Sequence, residues 1–548
     1  MLLYRIICRR RFCSRDLNII FNHNLNDIKM GFDAMDCVTK RYHSSKVSRK
    51  PEVTTNDSYE KAITVLNNLL PNSAFLQNAI TQQRSNESLN LEDTVKYLNR
   101  AGMTLKDLEN LKFIHISGTK GKGSTCALVE SILRNHGLRT GFYSSPHLIS
   151  VTERIRLCGL PISKESFAKY FWTVYGKLKA SALHDTDYPP YFKFLTIMCF
   201  YVFLYENIDV AIMEVGIGGQ YDCTNIIPKT KTVGITSLGL EHTQILGNTI
   251  EEIAWQKAGI IKNQSDVFTV KQPNGCIDVI KRRAQEKSAK LFVVPDYDDY
   301  LWTREPNVES LKDIKAQQLN TSLAIQLAMN WMHHNLEIGM GNGNILQEDY
   351  KIVTKIPEKV VQGIEKCFWP GRCQLLQYQS MNFYLDGAHT SESIQVCSDW
   401  FMKCTKDNKP FNKRILIFNM TGPRQTSVML KLLMDKIKFD FVFFVPNIAS
   451  ISNSSPDMIA TDDQLERCKE NERTWKELAE NQNGRTKSTL IKVLPSILDA
   501  LNYLEDNLLR IERKIDEKDI EIDILVTGSL HLVGACLMGL EEFDKIKS

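Results

Sequence analysis

Residues Leu111 to Val129 read LKFIHISGTKGKGSTCALV: an apolar run, a glycine-rich turn, then a run with helical patterning. This order predicts strand, phosphate loop and helix. Glycines at Gly118, Gly121 and Gly123 let the backbone enter left-handed conformations and turn several N–H groups to one point, where the positive end of the following helix adds its field. That point suits a phosphate. Lys122 would reach the terminal phosphates, and a hydroxyl from Ser124 or Thr125 would take a place on Mg²⁺. The spacing departs from the usual GxxxxGK[ST], because the lysine lies between the last two glycines, as Gly118-x-x-Gly121-Lys122-Gly123-Ser124. An ordinary glycine-rich turn is the competing account; the β-prone stretch before it and the helical pattern after it weigh against that.

At 548 residues the chain exceeds one compact core, and its length suggests roughly two to four domains. With 43% hydrophobic and 24% charged residues and a formal charge of +4, it reads as a soluble globular protein without a nucleic-acid surface. The 14 cysteines form neither CxxC pairs nor a regular framework, so zinc and disulfide scaffolds are not indicated, and a reducing compartment fits best. The opening MLLYRIICRRRFCSR alternates apolar and basic groups without an acid, as a mitochondrial transit peptide does; a disordered basic tail is the alternative. Ordered structure is expected from Asp57-Ser58, an N-cap before YEKAITVLNNLL.

Downstream, FLTIMCFYVFL from Phe194 to Leu204 is the most apolar run, but it falls far short of the roughly 20 residues a membrane span needs, and reads as a buried helix. IDVAIMEVGIGGQYDCTN is a buried strand ending in Glu214 and opening into glycines. An acid at a parallel strand's end beside a phosphate loop is where nucleotide enzymes hold Mg²⁺, although it would equally pair with a nearby lysine. TVGITSL leads to Glu241-His242, a histidine that on its own reads as a hydrogen-bonded core residue. IAWQKAGIIK carries Lys257 on a helix, LNTSLAIQLAMNWM gives a long amphipathic helix, and GMGNGNILQED, Gly339 to Asp349, an exposed loop. After Trp369-Pro370-Gly371-Arg372 the alternation of strand, glycine-containing turn and helix begins again, which argues a second parallel α/β domain. The polar stretch between Ala449 and Thr486 reads as a loop plus an exposed charged helix.

GTKGKGST resembles the ATP loop of the Mur-ligase-like amide synthetases. With SSPHL, Glu153-Arg154-Ile155, the Glu214 strand, Glu241-His242, Lys257 and Asp386-Gly387-Ala388-His389 after PGR, the resemblance narrows to the eukaryotic mitochondrial and cytosolic folylpolyglutamate synthases, over about Tyr59 to Val533. It implies an α/β fold of two parallel-sheet domains, an N-terminal P-loop ATPase (Mur ligase-like) domain over 57–368 and a smaller C-terminal Rossmann-like domain over 372–548, behind a transit segment at 1–50. Alternative starts at Met30 or Met35 would supply the cytoplasm as well as the mitochondrion, in the matrix or at its inner membrane.

The resemblance also implies the site. Gly118, Thr119, Lys120, Gly121, Lys122, Gly123, Ser124, Thr125 and Asn320 would hold ATP, with Arg372 and His389 reaching the phosphates and Asp386 the nucleoside from across a cleft. Ser124, Ser145, Glu214, His242 and Lys257 would hold Mg²⁺, alongside a monovalent cation such as K⁺, and Lys122, Lys257 and His389 would be catalytic. Lys257 would act as a carbamate, with a plain ammonium on phosphate as the alternative; Ser145 otherwise reads as a turn former and Arg154 as a solvated surface charge. Ser529 is a candidate for the glutamate site. This chain departs from the family in having Glu241 where Asp is usual, Gln220 for Arg, and Ala316-Gln317 for His-Gln, which leaves adenine to Gln317 or Asn320. The implied reaction makes an acyl phosphate of the folate's terminal glutamate, which free L-glutamate attacks; substrates are tetrahydrofolate or folylpolyglutamate, L-glutamate and ATP, and the chain would be a monomer. Dihydrofolate synthase activity on dihydropteroate and a catalytically dead folate-binding homologue remain the alternatives.

Overall fold

Ser58 opens the first helix, α1 (Tyr59–Asn67), its hydroxyl accepting the Lys61 N–H at 3.3 Å, as the N-cap pattern predicts. In this computed structural model the described residues are 58–70, 89–336, 349–405, 412–420, 426–450, 463–480, 489–509 and 522–547. The leader, Met30 and Met35, and the loop expected at Gly339–Asp349, Asp349 aside, lie outside them.

The phosphate-loop stretch folds as read: β1 (Phe113–Ser117), every residue buried, then the glycine turn, then α2 (Lys122–Asn135). Its sheet adds β2 (Thr140–Tyr143), β3 (Ile155–Leu157), β4 (Leu160–Pro161), β5 (Val210–Glu214), β6 (Thr232–Ile235), β7 (Asp266–Thr269) and β8 (Lys290–Val293), in the order β4-β3-β2-β5-β1-β6-β7-β8. Six strands run parallel; β3 and β4 extend one edge antiparallel. Pairing of Ile116 with Glu214 and of Ser117 with Ile235 brings the ends of β5, β1 and β6 to one rim. The chain leaves β1 for β2 on one side and later leaves β5 for β6 on the other, and such a reversal opens a crevice at the strands' carboxyl ends.

Helix α3 (Lys164–Ala180) and the apolar α4 (Tyr191–Tyr205) bury one face of this sheet, with Phe113 and Phe200 edge to face at 6.1 Å. Helix α5 (Ile250–Ala258) carries Lys257. Helix α6 (Lys315–Asn335) corrects an expectation: it is not amphipathic, because Asn320 to Met332 are buried almost all round, between α2 and the β6–β7 face. Its polar side chains bond internally. Asn330 accepts the Thr232 hydroxyl at 2.6 Å and donates to Asp266 at 2.8 Å.

A small parallel pair, β9 (Leu301–Trp302) and β10 (Lys355–Ile356), precedes the second sheet. That sheet comprises β11 (Gln374–Tyr378), β12 (Met381–Leu385), β13 (Lys413–Phe418), β14 (Phe441–Phe444), β15 (Leu490–Val493) and β16 (Ile522–Thr527), ordered β11-β12-β16-β13-β14-β15 and parallel except for the β11–β12 hairpin. This is the expected two-sheet α/β architecture. Helix α7 (Ser391–Cys404) follows β12 and α8 (Leu530–Lys547) follows β16. The charged helix expected after Ala449 spans Asp463–Glu480, though Cys468 and Trp475 bury one side of it against the sheet.

The two sheets meet along a packed seam. Gly534 of α8 lies so close to the first domain that a Cβ there would stand 2.0 Å from the Leu148 carbonyl oxygen, and the Leu148 side chain joins the second domain's core. Trp369, at the crossover, packs on Phe142 at 5.4 Å and beneath the Arg156 guanidinium at 4.8 Å.

Candidate active site

The glycine turn is shaped by what presses on it. Gly118 and Gly121 have φ of +144° and +85°, and a Cβ would lie 1.8 Å from Thr236 Oγ1 at the first and 2.0 Å from Asn320 Oδ1 at the second. Only glycine satisfies both demands. Asn320 therefore braces the turn, while Gln317 lines a cavity of about 110 Å³ with Ser124, Leu311, Thr321, Trp369 and Arg372. Of the two adenine candidates, Gln317 is the one facing open space. The N–H groups of Thr119 and Lys120 donate to the Ser237 carbonyl at 3.0 and 3.1 Å, so those donors are engaged inside the protein and tie the turn to the exit of β6.

Two lysines converge on one oxygen. Lys122 and Lys257 donate to the Gly118 carbonyl at 3.1 and 2.8 Å. Lys257 is buried, and that burial, reinforced by the Lys122 and Lys120 charges, pushes its ammonium down to about 7, against a weaker pull from Glu241. Glu214, at the end of β5, takes the Ser145 N–H at 3.1 Å and faces Gly123. Burial raises its carboxyl, opposed by Lys122, the Ser145 bond, Arg372 and Arg154. A buried acid inside a ring of cationic groups is suited to a cation held between protein and phosphate.

The expected metal residues are only partly gathered. Glu214 and Ser145 touch, Ser124 lies one residue beyond Gly123, which the Glu214 carboxylate faces, and Lys257 stands at Gly118. His242 is exposed on a left-handed turn (φ 53°) opening a short helix, so it is not a core histidine. Among the described residues no three His, Cys, Asp or Glu groups converge. One carboxylate plus the hydroxyl oxygens of Ser124 and Ser145 is nevertheless a hard-oxygen set of the kind Mg²⁺ takes when phosphates and waters complete its shell.

The second domain contributes from across the crevice. The Asp386 carboxylate accepts the Cys373 N–H at 2.8 Å, which fixes the turn carrying Arg372, and a Cβ on Gly387 would lie 2.9 Å from Arg372 Nη1. His389 sets Nδ1 3.0 Å from the Gly387 carbonyl and Nε2 3.5 Å from Glu241 Oε1, the oxygen that also accepts Lys120 Nζ at 2.9 Å. Burial alone would raise the Glu241 carboxyl; His389, Lys120 and His242 together hold it well below the usual range. Glu241, which sequence reasoning left without a role, thus links the turn to the second domain. Ser529, two residues past β16, is buried and accepts the His531 N–H at 3.2 Å. Gln220 accepts a bond from Arg283, whose guanidinium lies over Trp255 at 4.6 Å. Thr236 and Ser237 were missed, and their only signal is their place just past a strand that neighbours β1. Arg154 is buried rather than solvated.

Among known proteins, the chain is 38% identical over 541 residues to mitochondrial folylpolyglutamate synthase of Homo sapiens, covering 88% of this chain and 92% of that protein. It is 37% identical over 487 residues to a putative folylpolyglutamate synthase of Caenorhabditis elegans, and 36% over 520 residues to the Saccharomyces cerevisiae folylpolyglutamate synthase, at 87% and 91% of this chain and 92% and 90% of theirs. In architecture it matches the apo form of L. casei FPGS, with TM-score 0.62, 19% identity, 88% of this chain and 100% of that one. It also matches E. coli FolC in complex with DHPP and ADP, with TM-score 0.61, 21% identity, 91% of this chain and 100% of that one. At such identities these structures speak to the fold alone. No protein-family model matches the chain.

Proposed function

The chain belongs to the folylpolyglutamate synthases, and on that premise we propose that it catalyses the ATP-dependent addition of L-glutamate, in γ-linkage, to tetrahydrofolate and its polyglutamates. The observation that carries this is near-complete coverage of relatives bearing that name, joined to a crevice in which Glu214 of one domain feels Arg372 of the other and Glu241 meets His389.

A carboxylate cannot expel oxide, so the reaction begins with transfer of the γ-phosphoryl group of ATP to the terminal side-chain carboxylate of the folate. The P–O bond to ADP breaks and an acyl phosphate forms. The amine of L-glutamate then attacks the acyl carbon, phosphate departs with the bonding pair, and the amine loses a proton. Lys122, close to Glu214 and to the turn, would offset charge on the transferring group, and Arg372 and His389 would approach it from the second domain. Asp386 orients Arg372 through Cys373 and reaches the nucleoside side, and Gln317 lines the base cavity.

Mg²⁺ would be held by Glu214 with Ser124 and Ser145, His242 and a carbamylated Lys257 completing the set, and it would supply charge neutralisation at the phosphates; a monovalent cation such as K⁺ belongs to the same reading. A neutral Lys257 amine is what CO₂ requires, and burial that brings its ionisation near neutrality favours it. The domain limits proposed are 57–368 and 372–548, the chain a monomer. The names of mammalian relatives support a mitochondrial destination; cytoplasmic supply from Met30 or Met35 is the finer proposal, and no described helix is long and apolar enough to cross a membrane. Assaying the purified chain with tetrahydrofolate and with dihydropteroate side by side tests the reading: extension of tetrahydrofolate with ADP release supports it, and turnover confined to dihydropteroate assigns the sister activity instead.

A further inference from the structure

Arg154 carries a charge that the protein does not answer. Its residue is 9% exposed, its Nε donates to His147 Nδ1 at 3.1 Å, and its guanidinium lies over the Tyr191 ring at 5.4 Å. Neither terminal nitrogen has a hydrogen-bond partner, and no carboxylate stands within ion-pair distance, among the described residues. Glu214 feels its charge without touching it. A guanidinium buried over most of its surface, with its terminal nitrogens left to solvent, is a ready partner for an anion. His147, accepting at Nδ1, carries its ring proton on Nε2, and its ring meets that of His531, from the second domain, at 6.0 Å. Burial, with the Arg154 charge, lowers the His531 imidazole, which favours its neutral form.

We propose that Arg154, with His147 and His531, forms a carboxylate-binding subsite that takes the non-reacting α-carboxylate of a glutamate unit. The proposal rests on the ligase reading. A planar fork of N–H donors matches a carboxylate bidentately, and anchoring the α-carboxylate leaves the other end of the same unit directed to the reaction. Glu214, which accepts the Ser145 N–H, feels the Arg154 charge, so a carboxylate held at Arg154 would lie on the side of the phosphoryl-transfer centre. Two sources share this chemistry: the glutamate that ends the folate and the free amino acid.

The test uses the full chain as wild type, Arg154→Gln, Arg154→Lys and His531→Asn, with KM measured separately for L-glutamate, tetrahydrofolate and ATP. Arg154→Gln is expected to raise one carboxylate substrate's KM roughly 10²-fold with ATP almost unaffected, since truncating a buried charge pair costs on that scale. Which KM moves names the source. Arg154→Lys should recover part of the loss, and His531→Asn should move the same KM less. Replacing that substrate's α-carboxylate by its carboxamide should impair the wild type and add nothing to Arg154→Gln. Unchanged KM values for both substrates, or an equal penalty on carboxylate and carboxamide, would overturn the subsite. If the wild type itself fails to ligate, the ligase reading fails and the subsite with it.

Discussion

His389 Nε2 lies 3.5 Å from Glu241 Oε1, which joins the strand exits of the two sheets through one carboxylate oxygen that Lys120 also grips at 2.9 Å. Glu241→Gln keeps the shape and removes the charge. A hydrogen bond to a charged group contributes about 1.5–3 kcal/mol, so kcat should fall by roughly tenfold to a hundredfold. Glu241→Asp, the residue usual in the family, should restore most of it; wild-type turnover in the Gln variant would show that the bridge is idle.

Lys122→Ala should lower kcat by about 10²–10³-fold with the fold intact, the loss typical of one preorganised charge-stabilising donor. Near-normal turnover at saturating ATP, with circular dichroism unchanged, would remove Lys122 from the chemistry.

Lys257 makes a prediction in pH. With its ammonium lowered to about 7 against an ordinary 10.5, the neutral amine that reacts with CO₂ disappears as pH falls through about 7, and carbamate-dependent activity should fall with it. The same shift has a stability sign. Between about 7 and 10.5 the unfolded chain binds more protons than the folded one, so in CO₂-free buffer stability rises with pH across that window and flattens below it. Lys257→Met should abolish ligation, yet lose this slope and match or exceed the wild type in Tm at pH 7. A lower Tm with the slope preserved would contradict the buried amine.

Gly534→Ala tests the seam. The new Cβ would stand 2.0 Å from the Leu148 carbonyl, a backbone atom that cannot swing aside. Overpacking of this kind costs about 1–3 kcal/mol. Ligation should fall at least tenfold while each domain keeps its secondary structure; full activity would mean that the seam is not part of the working enzyme.

The strands were readable because parallel interior strands are near-continuous apolar runs; β1, β5 and β6 are buried at every residue, with only His115, Ser117, Glu214, Thr232 and Gly234 interrupting the apolar side chains. The turn was readable because its glycines admit Thr236 and Asn320. What escaped is set by distant partners. Helix α6 looked amphipathic because Asn330 and Gln326 are polar, but they bond to Asp266, Tyr300 and Val353 inside the fold. Arg154 looked like a surface charge because an arginine's burial depends on neighbours such as Tyr191 that sequence spacing does not bring near. Glu241 had no visible role because its partner His389 belongs to the other sheet.

Activation of a carboxylate by phosphoryl transfer is tested most directly by oxygen isotope transfer. Tetrahydrofolate labelled with ¹⁸O in its terminal glutamate side-chain carboxylate is incubated with the full chain, ATP, Mg²⁺ and L-glutamate, and the released phosphate is analysed by mass spectrometry. Formation and aminolysis of an acyl phosphate must leave one labelled oxygen in each phosphate released by ligation. Glutamate addition that proceeds while the phosphate stays unlabelled would contradict the account.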